Sequence, residues 1–69
     1  VALNDHHRRF ELNTNGHLSI VEFFQPDDVT LALTHTEVPA ALEGQGIGSR
    51  LVEGVLHYAE QHGLQIVPL

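Results

Sequence analysis

The sequence has no cysteine and no lysine, and its few cations are all arginine. Without cysteine there is no disulfide framework and no thiolate zinc site. Three arginines stand against nine acidic residues, which gives a net charge of −6. That sign does not favour nucleic acid or an anionic membrane surface as a partner. No apolar run reaches about 18 residues and no signal-peptide core is present, so we expect no membrane span and a cytoplasmic setting.

A chain of 69 residues is too short for two ordinary domains. A domain of this size buries only about 60% of the surface that its unfolded chain exposes. We therefore expect a single domain over residues 1–69 with one small core, which a homo-oligomer or another partner would help to complete.

Alternating apolar and polar residues predict three strands in the first half of the chain. These strands run from Asp5 to Leu12, from His17 to Gln25 and from Val29 to Val38. Turn-forming residues separate them, at Asn13 to Gly16 and at Pro26 to Asp28. The three strands should therefore form an antiparallel meander.

The third strand carries an irregularity near its end. Unbroken alternation would place His35 and Glu37 on the same face as Leu31 and Leu33, which is a poor place for a charge. Either the strand leaves the core there or a β-bulge turns its side chains, and bulges are frequent beside functional sites.

Helical periodicity replaces the strand pattern from Gly46 to His62, and Gly63 is the expected stop. The apolar arc that this pattern places towards the core consists of Ile47, Leu51, Val52, Val55, Leu56 and Ala59. Leu64 to Leu69 then indicates a buried final strand. A strand, a helix and a strand in this order form a right-handed crossover between parallel strands. The fold class is therefore α+β with an α/β-like element: a three-stranded antiparallel meander, one crossover helix and a final parallel strand.

A glycine-rich turn links the third strand to the helix. Gly44, Gly46 and Gly48 let the backbone approach a ligand, and the first turn of a helix leaves N–H groups without internal partners. The amides from Gln45 to Ser49 are thus predicted to form a nest for a phosphate group. Arg50 is the nearby cation, unless it pairs with Glu53. The alternative is that the glycines only make a tight turn.

The segment from His35 to Leu69, HTEVPAALEGQGIGSRLVEGVLHYAEQHGLQIVPL, resembles the small, minimal members of the Gcn5-related N-acetyltransferase (GNAT) superfamily. Their motif [Q/R]-x-x-G-x-[G/A] falls on Glu43 to Gly48, with Glu in place of Gln or Arg. The resemblance implies acetyl-CoA as cosubstrate and no metal. It implies a cofactor site made of Thr36, Val38, Glu43, Gly44, Gln45, Gly46, Ile47, Gly48, Ser49 and Arg50.

The resemblance also implies transfer of the acetyl group to an amine on a small molecule or a protein. His35 and Glu37 are the candidate catalytic bases, because imidazole ordinarily titrates near pH 6.5 and a carboxylate can act directly or through water. Their alternatives are a hydrogen-bonded histidine and a solvated strand edge. In the small subfamily the last strand precedes a Cys-containing segment that residues 1–69 do not include. Alternative functions are a non-catalytic CoA-binding or protein-interaction module and a purely structural domain.

Overall fold

A computed structural model describes residues 1–69 as one five-stranded sheet with one α-helix on a single face. The strands lie in the order β1-β2-β3-β4-β5. The first three pairings are antiparallel and the pairing of β4 with β5 is parallel. The elements are β1 (Ala2–Asn4), β2 (Arg9–Thr14), β3 (His17–Asp27), β4 (Thr30–Glu37), a 3-10 helix (Ala40–Leu42), α1 (Ile47–His62) and β5 (Gln65–Pro68). The predicted meander, crossover helix and parallel strand are all present.

The number of strands was predicted wrongly, because β1 was missed. This strand has three residues and pairs with β2, with Leu3 opposite Phe10. Three residues are too few for a periodic pattern to stand out. The segment between the two strands, which was assigned to the first strand, forms a turn in which Arg8 has a φ of 52°. The side-chain oxygen of Asn4 accepts a hydrogen bond from the amide of His7 at 3.1 Å in this turn.

The two predicted turns differ in how well their bounds were placed. Asn15 and Gly16 form a two-residue turn with φ values of 51° and 84°, as the Asn-Gly pair indicates. The second turn is shorter than predicted, because β3 continues through Pro26 to Asp27. The β3–β4 register is irregular between Phe24 and Asp27, and such an irregularity accommodates a proline that cannot donate to the ladder.

The core lies between α1 and one face of the sheet. Four helix residues at intervals of four are buried, namely Ile47, Leu51, Val55 and Ala59. Leu51 and Val55 pack in one cluster with the sheet residues Phe10, Val21, Phe23 and Leu31. Val52 and Leu56, which the helical pattern also placed in the core, are 43% and 51% exposed. The buried stripe of the helix is therefore narrower than its apolar arc.

The final strand β5 is an edge strand, and the prediction that it is buried was wrong. Only Ile66 is half-buried, because it lies opposite Leu31 on the face that the helix covers. Its neighbours in β5 are exposed. The helix has 16 residues and is neither long nor apolar enough to cross a membrane.

Candidate functional site

A β-bulge at Thr34 divides β4 into two halves that present their side chains differently. Glu22 of β3 pairs with His35, whereas the next residue, Phe23, pairs with Leu33. Thr34 is thus the extra residue of β4. Cross-strand partners share a face of the sheet, and consecutive residues of β3 point to opposite faces. Of the two alternatives for this irregularity, the bulge is the one present, and it places His35 on the open face.

The same bulge marks the point where β5 leaves β4. Parallel pairing covers Thr30 to Leu33 and ends with a hydrogen bond from the amide of Leu69 to the carbonyl of Leu33 at 3.1 Å. Residues His35 to Glu37 pair with β3 alone, and Thr34 pairs with neither strand. A groove of about 530 Å³ occupies this edge. Its walls are formed by Leu33, Thr34, His35, Thr36, Val52, Ile66, Pro68 and Leu69.

The structure brings some of the predicted β4 residues to the groove and not others. His35 and Thr36 line it, and both are exposed. Glu37 lies on the open face with His35, two positions further along the strand, but does not line the groove. The side chain of Val38 is half-buried and packs against the core.

The glycine-rich turn has the backbone that its sequence predicts. After Pro39, one turn of 3-10 helix forms from Ala40 to Leu42, and the chain then enters α1. Gly44 and Gly46 have φ values of 79° and 72°, in the left-handed region that side chains disfavour. Gly46 is the N-cap of α1, so a left-handed glycine stands where helices usually place Ser, Thr, Asp or Asn.

The start of α1 offers several unpaired backbone donors. The first bond of the helix runs from the amide of Arg50 to the carbonyl of Gly46 at 3.1 Å, and the amides of Ile47, Gly48 and Ser49 have no acceptor in the protein. No side chain caps this end and its first turn has no acidic residue. The positive end of the helix dipole is thus left without an internal anion, which suits an external one.

The space in front of these donors is open. A Cβ built on Gly44, Gly46 or Gly48 would meet no heavy atom within 4 Å. Both Gly48 and its neighbour Ser49 are accessible at the surface. No other part of the chain therefore covers these three glycines.

Other residues of the predicted phosphate site contribute less than their positions indicated. The amides of Glu43 and Gln45 donate within the turn, to the carbonyls of Ala40 at 3.2 Å and Leu42 at 3.3 Å. Ile47 is buried, so only its backbone is available. Arg50 is exposed and makes no ion pair with Glu53, so its guanidinium is free to meet an anion.

Several charged side chains lie on the open face of the sheet, and the register of the strands shows which of them are neighbours. Arg9 binds Glu11 through its Nε at 2.7 Å, and the side-chain amide of Asn4 donates to the same carboxylate at 3.1 Å. The hydrogen bond from Arg9, and then that from Asn4, lowers the pKa of Glu11. On this face Glu22 is half-buried and lies directly opposite His35.

Of the eight groove residues, sequence reasoning named only His35 and Thr36, and it also missed Glu22 on the open face. Thr34 had no signal except the broken alternation, and Val52 was assigned to the core because it lies on the apolar arc of the helix. Glu22 is 13 positions from His35 and becomes its neighbour only through the β3–β4 register, which a single sequence does not specify.

A comparison with known protein families shows to which family the chain belongs. The model of the GCN5-related N-acetyl-transferase family matches residues 9–69. The chain belongs to this family. The matched segment runs from β2 to the end of the chain and includes both the groove and the glycine turn. No curated protein matches the chain. The family match therefore covers the whole chain except β1 and the turn after it.

Proposed function

We propose that this GCN5-related protein is an acetyl-CoA-dependent N-acetyltransferase. The observation that carries the proposal is the start of α1, where three successive amides lack an acceptor in front of open space. Acetyltransferase activity is the general property of the family. The identity of the cosubstrate rests on the fit of this chain's residues to it.

The pyrophosphate of CoA is assigned to the glycine turn. The amides of Gly46, Ile47, Gly48 and Ser49 would donate to its oxygens, and the dipole of α1 would favour the negative charge. Arg50 would add a side-chain cation. Glu43, at the first position of the motif, brings a negative charge, so we assign it no attractive role towards phosphate.

The pantetheine arm is assigned to the groove beside β4. Leu33, Val52 and Ile66 give the groove an apolar wall. On the opposite wall, the β4 backbone near Thr36 has no ladder partner on the β5 side. Such backbone groups can bond the amides of the arm as an additional strand would.

The reaction is attack of the nitrogen of an amine on the thioester carbonyl carbon, with cleavage of the C–S bond. The amine nitrogen gives up a proton, and the departing sulfur gains one. His35 is the better placed of the two candidate bases, because it is one of the residues that line the groove and Glu37 is not. Glu37, on the same face, would act on an amine approaching across the open side of the sheet.

A second function, CoA binding without catalysis, is favoured by one observation. His35 and Glu37 are both exposed, and neither side chain makes a hydrogen bond or an ion pair within the protein. A base is most effective when a neighbour holds it in place. A binding module needs no such group, since the glycine turn and the groove suffice.

Calorimetric titration with acetyl-CoA and with S-acetylpantetheine tests the binding assignment. We expect acetyl-CoA to bind and S-acetylpantetheine, which has no pyrophosphate, to bind at least about tenfold more weakly. Equal affinities would contradict the phosphate assignment. A thiol-release assay with polyamines, amino acids and lysine peptides then separates the two functions. Turnover with an amine supports the transferase, and binding without turnover supports the module.

The partners follow from the same assignment. They are a CoA thioester and an amine-bearing small molecule or protein. The exposed edge strand β5 is where a second copy would pair, so a homo-oligomer remains part of the proposal.

A further inference from the structure

His35 has one polar neighbour fixed by the sheet itself. The bulge at Thr34 puts His35 opposite Glu22 of β3, and both side chains lie on the open face. Side chains directly opposite in an antiparallel pair have Cβ atoms about 4.5–5.5 Å apart. A glutamate carboxylate can span that distance to an imidazole ring. Glu22 is also half-buried, which restricts the directions it can take.

The residue opposite Glu22 on the other neighbouring strand, β2, forms no ion pair with it. Arg9 lies opposite Glu22 on β2, yet its guanidinium is bound to Glu11 at 2.7 Å. Glu22 consequently makes no ion pair within 4.0 Å, although a cation stands in the next strand. The carboxylate of Glu22 is thus free to accept a hydrogen bond from His35.

Glu37 is less suited to hold the imidazole. It lies two positions along β4 from His35, and its own partner across the β3–β4 pair is the apolar Ile20. It is also exposed, so nothing limits its rotamers. The sheet thus favours Glu22 over Glu37 as the residue that orients His35.

We propose that Glu22 is a positioning residue for His35. In the structure the two side chains form no hydrogen bond or ion pair, and rotation about their side-chain torsions brings the carboxylate to one ring N–H. The hydrogen bond then accepted by the carboxylate leaves the other ring nitrogen unprotonated and available to the groove. A neutral imidazole has one donor and one acceptor nitrogen, and the bond to one nitrogen decides the state of the other. The catalytic part of this proposal rests on the proposed transferase function, whereas the contact itself does not.

Nitrogen-15 spectra of the histidine rings test the contact without any turnover. At pH 8.5 the chemical shifts of the two ring nitrogens report the balance of the two tautomers. We expect Glu22→Gln to shift this balance at His35. Glu60→Gln, an exposed change on α1, is the matched control and should leave it unchanged. Identical His35 shifts in the wild type and in Glu22→Gln would overturn the proposal.

Kinetics test the consequence. Glu22→Gln should lower kcat by roughly 10- to 100-fold, within the usual contribution of a general base, and leave KM for acetyl-CoA unchanged. In a His35→Ala background the same change should cost nothing more, because the two residues act as a unit. Independent, multiplying losses would contradict the proposal. An inactive wild type would remove the transferase function, and the nitrogen spectra alone would then decide the contact.

Discussion

Leu33 and His35 are two positions apart on β4, yet their side chains lie on opposite faces of the sheet. The bulge at Thr34 causes this, since one extra residue reverses the alternation. It keeps Leu33 against the core and takes His35 out of it. One residue thus separates a side chain that packs against the core from one that lies on the open face, although both residues line the groove.

Alanine substitutions on either side of the bulge should have different effects on stability. Leu33→Ala should lower the free energy of unfolding by about 1–2 kcal/mol, because the side chain is half-buried against the core. His35→Ala should change it by no more than about 0.5 kcal/mol, since that side chain is exposed. Urea unfolding measures both. A large loss in His35→Ala would indicate that the imidazole is structural rather than part of a reaction site.

Gly48 offers a test of the phosphate site that leaves the fold intact. Its backbone is helical and a Cβ there meets nothing within 4 Å, so Gly48→Val should not strain the protein. The side chain would fill the space in front of the free amides and weaken acetyl-CoA binding at least about tenfold. Calorimetry measures the affinity and circular dichroism the fold.

The control for this variant is Gln61→Val, which places the same side chain on an exposed position in the last turn of α1. It should bind acetyl-CoA as the wild type does. Full affinity in Gly48→Val would mean that the start of the helix is only a turn. Gly46→Val is less informative, because the positive φ of Gly46 would strain any side chain.

Two leucines of α1 provide a matched pair for the core. Leu51 is fully buried, whereas Leu56 is 51% exposed. Leu51→Ala should lower the free energy of unfolding by about 2–5 kcal/mol. This is a large share of the total of roughly 3–10 kcal/mol expected for a domain of this size. Leu56→Ala should cost under about 1 kcal/mol. Thermal and urea unfolding compare them, and similar losses would mean that the Leu56 face is covered in solution.

Stability should fall in acid because two carboxylates ionise more easily in the folded protein. The hydrogen bond from Arg9 lowers the pKa of Glu11 below its ordinary value of 4.5. A hydrogen bond from the backbone amide of Val29, together with one from the side chain of Thr30, lowers the pKa of Asp27 below its ordinary value of 3.8. A lowered folded pKa stabilises the protein above the ordinary value, and this contribution is lost as pH falls through the folded value.

We therefore expect the contribution of these two groups to the free energy of unfolding to be constant above about pH 5 and to decline from there towards pH 3. Urea unfolding at several pH values measures it. Glu11→Gln and Asp27→Asn should each make the decline shallower. Asp28→Asn, in the exposed turn beside Asp27, accepts no hydrogen bond from the protein and is the control. An unchanged slope in the first two variants would exclude this origin.

Much of the fold was predictable because its signals are local. The Asn15-Gly16 turn, the helix between Gly46 and Gly63 and the order of the last three elements depend on residues that are close in sequence. The errors fall where tertiary contacts decide. β1 exists only through its pairing with β2, and β5 is largely exposed because it is an edge strand with no further strand beside it.

The sequence by itself determined that a glycine-rich turn leads into the helix, since Gly44, Gly46 and Gly48 stand where the helical pattern begins. It also raised the question of His35, because alternation could not continue to that residue. Only the tertiary structure decided the answer. Register between strands placed the bulge at Thr34, turned His35 to the open face and brought Glu22 opposite it. Register depends on the turn that joins two strands and on which face of each strand is buried, so the pattern within β4 alone does not encode it.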